Sequence, residues 1–166
     1  VIPSYFANAA PVILGGGRAI DGGKRFIDGW PILGKSKTIR GYIAGVFTGM
    51  LVCELLYFLK FTGIVLFMFP TDYVIAGFLL GFGSMLGDSI GSFIKRRLRY
   101  KSGEHAPLLD ELLFVIVALL LVYPMLDSST VVFSFIKFIV VLILTFFLHK
   151  IFNVFANISG YKKVPW

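Results

Sequence analysis

The 166-residue chain is 57% hydrophobic, with a mean hydropathy of +0.87 and a formal charge of +7. A water-soluble domain of this size does not carry so much apolar sequence, so the composition predicts an all-α integral membrane protein. The one cysteine, Cys53, sits in an apolar run, which excludes an intramolecular disulfide and argues against a cysteine-based metal site.

Residues 1–166 read as a single polytopic membrane domain with about five transmembrane helices. Val1–Leu14 is apolar but short for a span, which needs about 20 residues. It has no positive n-region, so a cleavable signal is not expected there. No lipidation motif is visible. Residues 15–40 form a polar, glycine-rich loop with the cations Arg18, Lys24, Arg25, Lys35, Lys37 and Arg40. Residues 41–59 are the second span, and Lys60–Asp72 is a mixed connection containing Gly63 and Pro70. Residues 73–94 are the third span. A second basic loop, 95–107, carries Lys95, Arg96, Arg97, Arg99 and Lys101. Residues 108–123 are a short fourth span stopped by Pro124. Asp127–Thr130 turn the chain into the fifth, 131–155. Tyr161 and Trp166 are expected as interfacial anchors beside Lys162 and Lys163. The cation bias places both basic loops and the C-terminus in the cytoplasm and the N-terminus outside.

The third span carries the most informative pattern. Gly77, Gly81, Gly83, Gly87 and Gly91 predict a close-packed helix seam, because small residues let helix backbones approach. At helical spacing Asp88, Ser92, Lys95 and Arg99 share one face. Asp88 then lies about 10 Å deeper than Lys95, and a carboxylate at that depth marks a functional site. The cations from Lys95 to Lys101 are either stop-transfer charges or phosphate ligands; the acid above them favours the second. Asp110 and Glu111 open the next span. They are helix-start acids, or they complete a carboxylate site with Asp88 that suits Mg2+.

Gly29-Trp-Pro-Ile-Leu-Gly34-Lys35-Ser36 satisfies the P-loop pattern in letters only. No strand precedes it and a membrane span follows, so a P-loop nucleotidase is rejected. The phosphate-binding physics survives: Lys35, Lys37, Thr38 and Arg40 stand just before a helix N-terminus. Asp21 and Asp28 read as solvated turn acids, His105 as a loop residue and His149 as interfacial. Glu54 and Lys137 match in depth, about 9 and 12 Å from the outer ends of their spans, and either pair or stay apart, with Lys137 snorkelling and Glu54 neutral or bonded elsewhere.

Gly87-Asp88-Ser89 followed by Ser92-Phe-Ile-Lys95-Arg96, with Asp110 beyond, resembles the CTP:phosphatidate cytidylyltransferase superfamily. The bacterial and eukaryotic signature continues through a Lys-Asp pair and Pro-Gly-His-Gly-Gly. Here Lys101-Ser-Gly-Glu-His-Ala-Pro107 stands instead. The rest of the chain resembles the archaeal branch, the CDP-archaeol synthases. Asn8-Ala-Ala-Pro11, Asp21, Asp28-Gly29 and Gly34-Lys35-Ser36-Lys37-Thr38-x-Arg40-Gly41 carry that likeness.

The resemblance implies a Mg2+-dependent enzyme that joins CTP to an isoprenoid glycerol phosphate lipid, unsaturated archaetidic acid, giving CDP-archaeol and pyrophosphate. It implies catalytic roles for Asp88, Lys95, Arg96 and Asp110, and metal binding by Asp88, Asp110 and Glu111. Nucleotide contacts fall to Asn8, Asp21, Lys35, Lys37, Thr38, Arg40, Ser92 and Lys101. The bilayer is a partner and nucleic acid is not; oligomeric state stays open. Diacyl phosphatidate is the alternative acceptor. A small transporter is a weaker rival, because only Glu54 and Lys137 lie deep on the far side. A CDP-alcohol phosphotransferase does not fit, because Ser92 stands where its second aspartate belongs.

Overall fold

A computed structural model describes residues 1–62, 72–125 and 135–161. Within them the chain forms five α-helices: α1 (Ile2–Leu14), α2 (Ile39–Phe61), α3 (Tyr73–Arg97), α4 (Pro107–Val122) and α5 (Phe135–Ile158). A single 3-10 turn, Tyr123–Met125, follows α4. Four helices are long and apolar enough to cross a membrane, and α1 is shorter. Its 13 residues rise about 20 Å, less than the hydrocarbon thickness of about 30 Å. Each of the five helices overlaps one of the expected apolar segments, and four of them are long enough to be spans. The Gly63 and Pro70 connection, the Asp127–Thr130 turn, Lys162, Lys163 and Trp166 lie outside the described residues.

Local chemistry sets the helix ends. Thr38 Oγ1 accepts the Gly41 N–H at 3.1 Å and starts α2. Asp72 does the same for α3 through the Ile75 N–H, also at 3.1 Å. At the end of α3 the Tyr100 N–H donates to the Lys95 carbonyl (2.9 Å) and the Arg99 N–H to the Arg96 carbonyl (3.2 Å). These two bonds reverse the chain in a Schellman turn. Arg99 occupies the left-handed position, φ 67°, where glycine is usual. The helix therefore stops before Arg99, which does not extend the Asp88–Ser92–Lys95 face. Its guanidinium lies 5.2 Å from the Trp30 ring centroid instead.

Packing is organised by the glycines of α3. Gly77 and Gly81 meet α2: a Cβ on Gly81 would sit 2.7 Å from the Val46 carbonyl oxygen. Gly83, Gly87 and Gly91 meet α4, where a Cβ on Gly83 would sit 2.6 Å from Ala118 Cα. The core between α3 and α4 contains Ala76, Leu80, Phe114, Val115, Ala118 and Val122. Among the described side chains of α5, the buried ones are polar, Thr145 and Asn153. Thr145 bonds Tyr5 at 2.6 Å, and His149 contacts Asn8 at 3.1 Å and Asn153 at 3.3 Å. Surrounding lipid is as apolar as leucine, so hydrogen bonding is what orients such a helix.

Glu54 and Lys137 do not pair. The ion pairs among the described residues are Lys37–Asp88, Lys95–Asp110 and Arg97–Asp28, and His105 lies 3.3 Å from Glu111. α2 packs on α1 and α3, whereas α5 packs on α4, so equal depth does not make the two residues neighbours.

Gly83→Ala should lower stability by about 1–3 kcal/mol through overpacking against α4. Gly91→Ala should cost less, because its nearest obstacle, the Leu109 carbonyl oxygen, lies 3.2 Å away. Thermal unfolding in detergent measures both, and equal melting temperatures for Gly83→Ala and the parent would show a loose seam.

Candidate active site

The first basic loop is an ordered structure built on two carboxylates. Two isolated antiparallel bridges, Ala19 with Thr38 and Arg25 with Pro31, fold it back on itself. The Ile20 N–H donates to the Lys37 carbonyl at 2.8 Å, and the Phe26 N–H to the Trp30 carbonyl at 2.8 Å. Asp21 accepts the Gly23, Leu33 and Gly34 N–H groups at 2.9, 2.9 and 3.0 Å. Asp28 accepts the Trp30 N–H at 3.0 Å and pairs with Arg97 at 2.6 Å. Both are turn acids as expected, each accepting an amide two residues on, but they are not merely solvated: Asp21 also holds the Leu33 and Gly34 amides and Asp28 also pairs with α3. The amides of Leu33 and Gly34, which a P-loop would turn toward phosphate, are already taken by Asp21.

Burial opposes ionisation of Asp21, but the N–H groups of Gly34, Leu33 and Gly23 outweigh it and hold its carboxyl below the ordinary range. The Trp30 N–H, helped by Arg97, does the same for Asp28.

Guanidinium groups dock this loop on the end of α3. Arg96 donates from Nε to the Leu33 carbonyl (3.2 Å) and from Nη1 to the Tyr100 carbonyl (2.5 Å). Its guanidinium also packs on Gly34, φ 101°, where an added Cβ would sit 3.3 Å from Nε. Arg97 donates to the Pro31 carbonyl at 2.5 Å and lies over the Phe26 and Phe93 rings, 4.6 and 5.0 Å from their centroids. Arg96 is 3% exposed. It was expected on a triphosphate; here its donors hold the loop.

Docking carries Lys37 to Asp88, and the two form an ion pair. Around them is a small pocket of about 30 Å³, lined in part by Ser36, Thr38, Tyr42 and Ser89. Thr38 is buried as the cap of α2. Lys35 on the same loop and Arg40 in the first turn of α2 are exposed. Asn8 is turned to His149 on α5 rather than to Lys37 or Asp88.

A second polar cluster stands on the α4 side. Lys95, 7% exposed, reaches both oxygens of Asp110 at 2.8 and 3.0 Å and the Glu104 carbonyl at 2.8 Å. Asp110 also accepts the Ala106 N–H at 2.9 Å. Lys101 is exposed, its backbone N–H held by Glu104 at 2.6 Å, and Ser92 is buried. Glu111 is 2% exposed, with one oxygen 3.3 Å from His105 Nε2.

No three of the described His, Cys, Asp and Glu side chains gather as a metal cluster, so Asp88, Asp110 and Glu111 do not form the expected cage. The reason is helical phase. Gly83, Gly87, Gly91 and Lys95 continue one four-residue row toward α4, whereas Asp88 sits about 100° round from Gly87. The donors still suit Mg2+, which is commonly held by one or two carboxylates plus substrate phosphates. Both Asp88 and Asp110 already hold an ammonium group, a stand-in cation, on carboxylate oxygen.

Sequence reasoning missed the Arg97–Asp28 pair and the Asp21 bonds. The clue was there, in two acids among glycines within a basic loop, but it named no partners.

The helices and the charged site at their end define a multi-pass membrane protein whose polar chemistry is gathered where a basic loop closes on α3. The sequence matches the CarS-like CDP-archaeol synthase family over residues 1–166, and the chain belongs to that family. It is 46% identical to the CDP-archaeol synthase of Thermococcus gammatolerans, covering all of this chain and 92% of that protein. Identity to the enzyme of Methanococcus maripaludis strain C7 is 39%, over 100% and 93% of the two chains. The fold is similar to a solved intramembrane enzyme for archaeal membrane lipid biosynthesis. The TM-score is 0.72 at 30% identity, over 92% of this chain and 89% of that one.

Depressed carboxyls stabilise the folded loop fully above the unfolded carboxylate value of about 4 and lose that contribution as pH falls through the folded values. Hydrogen-exchange protection of the Leu33, Gly34 and Trp30 amides should therefore hold at neutral pH and decline below about pH 4. Asp21→Asn should remove most of the protection of Leu33 and Gly34 at pH 7; full protection in that variant would show that other groups hold them.

Proposed function

We propose that this chain transfers the cytidylyl group of CTP to the phosphate of unsaturated archaetidic acid, giving CDP-archaeol and pyrophosphate. Membership of the family along the whole chain supports the reaction. The Lys37–Asp88 contact, formed where the basic loop closes on α3, carries the assignment of the site.

The chemistry needs no general base. A phosphate monoester has its second pKa near 6, so at pH 7 the lipid phosphate is largely a dianion and attacks as it stands. Its oxygen forms a bond to the α-phosphorus of CTP. The bond from that phosphorus to the bridging oxygen breaks, and pyrophosphate leaves with the electron pair. What the protein must supply is positioning and cations. Lys35 and Lys37 on the ordered loop, with Arg40 in the first turn of α2, would hold the triphosphate. Lys95 and Lys101 stand at the α4 side of the same end of the bundle. Arg96 and Arg97 act by fixing the loop that carries Lys37. Mg2+, held by Asp88 together with substrate phosphates, would supply positive charge to the transferring phosphate, while Asp110 keeps Lys95 in place beside it. The cation-rich loops favour the cytoplasmic side for this end of the bundle. The lipid chains stay in the bilayer while the phosphate meets the site at its surface.

The direct test is purified protein with radiolabelled CTP, Mg2+ and either archaeal or diacyl phosphatidic acid. Lipid-soluble label with the archaeal acceptor is expected; label with neither acceptor removes the assignment. Asp88→Asn should lower turnover by at least roughly 100-fold, the scale of losing a key electrostatic group, while the protein still folds. Parent-level turnover would take Asp88 out of the site. Lys37→Ala and Arg40→Ala should raise KM for CTP roughly tenfold or more, the scale of one charged hydrogen bond, with little change in KM for lipid. An unchanged CTP dependence in both variants would remove the loop from the nucleotide site.

A further inference from the structure

The proposed chemistry sends Asp88 to a metal and Lys37 to a phosphate, yet in this structure each is the partner of the other. Three observations bear on that contact. First, neither side chain has another hydrogen bond among those described, and two of the four neighbouring hydroxyls already have partners. Ser89 donates to the Met85 carbonyl at 2.8 Å, and Thr38 caps α2. Second, the pocket they line holds about 30 Å³, room for about one water and far below the several hundred Å³ of a ligand site. Third, the Lys37 backbone is fixed by the loop, while its side chain is held by Asp88 alone among the described bonds. Its N–H donates to the Gly34 carbonyl at 3.2 Å and its carbonyl accepts the Ile20 N–H at 2.8 Å. The ammonium can therefore leave Asp88 by side-chain rotation alone.

The pair on the α4 side differs. Lys95 is also tied to the Glu104 carbonyl and Asp110 to the Ala106 N–H, so backbone groups hold that pair together. Lys37–Asp88 has no such tie and is the pair built to open.

We infer that the Lys37–Asp88 ion pair is the resting half of a charge exchange that couples divalent-metal binding to nucleotide binding. A metal on Asp88 releases Lys37 for a phosphate oxygen, and a phosphate on Lys37 releases Asp88 for a metal. Either ligand alone must break the pair and leave one charge without its partner. Both together give each charge a new one. Coupling of this kind is reciprocal, so each ligand raises the affinity of the other by the same factor, typically 5- to 150-fold. The inference rests on the proposed site, but its test needs neither lipid nor turnover.

The test is Mn2+ binding to the full chain in detergent micelles, followed by titration of free Mn2+ with no nucleotide present. Lys37→Gln should bind Mn2+ at least about fivefold tighter than the parent, because a competing cation is gone. Lys37→Arg, which keeps a cation beside Asp88, should stay near the parent. Lys37→Gln combined with Asp88→Asn should lose the gain, placing it at Asp88. In the reverse arm, with EDTA present, Asp88→Asn should bind CTP more tightly than the parent. Unchanged or weaker Mn2+ binding in Lys37→Gln, or metal-free CTP binding no tighter in Asp88→Asn, overturns the exchange. A protein that makes CDP-lipid yet shows no Mn2+ gain would lose the exchange alone. One that shows the gain yet makes no CDP-lipid would keep the exchange and lose the proposed reaction.

Discussion

Charge near hydrocarbon must be compensated, and the basic end of α3 is arranged by that requirement. Three acids there each meet a cation: Asp88 meets Lys37, Asp110 meets Lys95 and Asp28 meets Arg97. Each pair joins segments remote in sequence. Lys37 and Arg97 bring the first loop to α3, and Lys95 brings the start of α4 to the same place. The loop, two helices and the pocket between them are thus held by one set of electrostatic contacts, all on the side rich in arginine and lysine.

Those pairs can form only because the helices approach closely enough. The glycines of α3 face α2 on one side and α4 on the other, in places where a Cβ would overlap backbone. Close approach sets which residues lie at which level. Gly91 sits against Leu109, and one turn further Lys95 reaches Asp110. On the α2 side Gly45 sits against Met85, and Lys37, just before α2, reaches Asp88. One helix therefore supplies two polar clusters on different faces, and no single three-carboxylate cage arises.

The division of labour among cations follows from geometry. Arg96 and Arg97 have planar, multi-donor heads, and here they bind backbone carbonyls and aromatic faces, where several fixed contacts are made at once. Lys37 is a point charge on a flexible stem, suited to changing partner. A reaction whose nucleophile is already anionic asks for movable and fixed positive charge, and for no nucleophile–base pair in the protein.

Much of this was legible in the linear sequence. Spans follow from runs of apolar residues, which are local, and all five helices fall where those runs predict. The glycine seam was readable from four-residue spacing, and family membership from motifs spread along the chain. Partner choice was not readable. The turn amides of Gly23 and Trp30 lie within two residues of Asp21 and Asp28, but the Leu33 and Gly34 amides and Arg97 arrive only when the loop folds on itself and on α3. Asn8 faces α5, and Arg99 leaves the helix because a Schellman turn forms after Arg97. Glu54 and Lys137 share a depth but sit on helices that pack elsewhere. Hydropathy and periodicity report how each segment meets its solvent, so one chain determines them alone. An ion pair or hydrogen bond depends on the relative position of two distant segments, and only tertiary packing sets that.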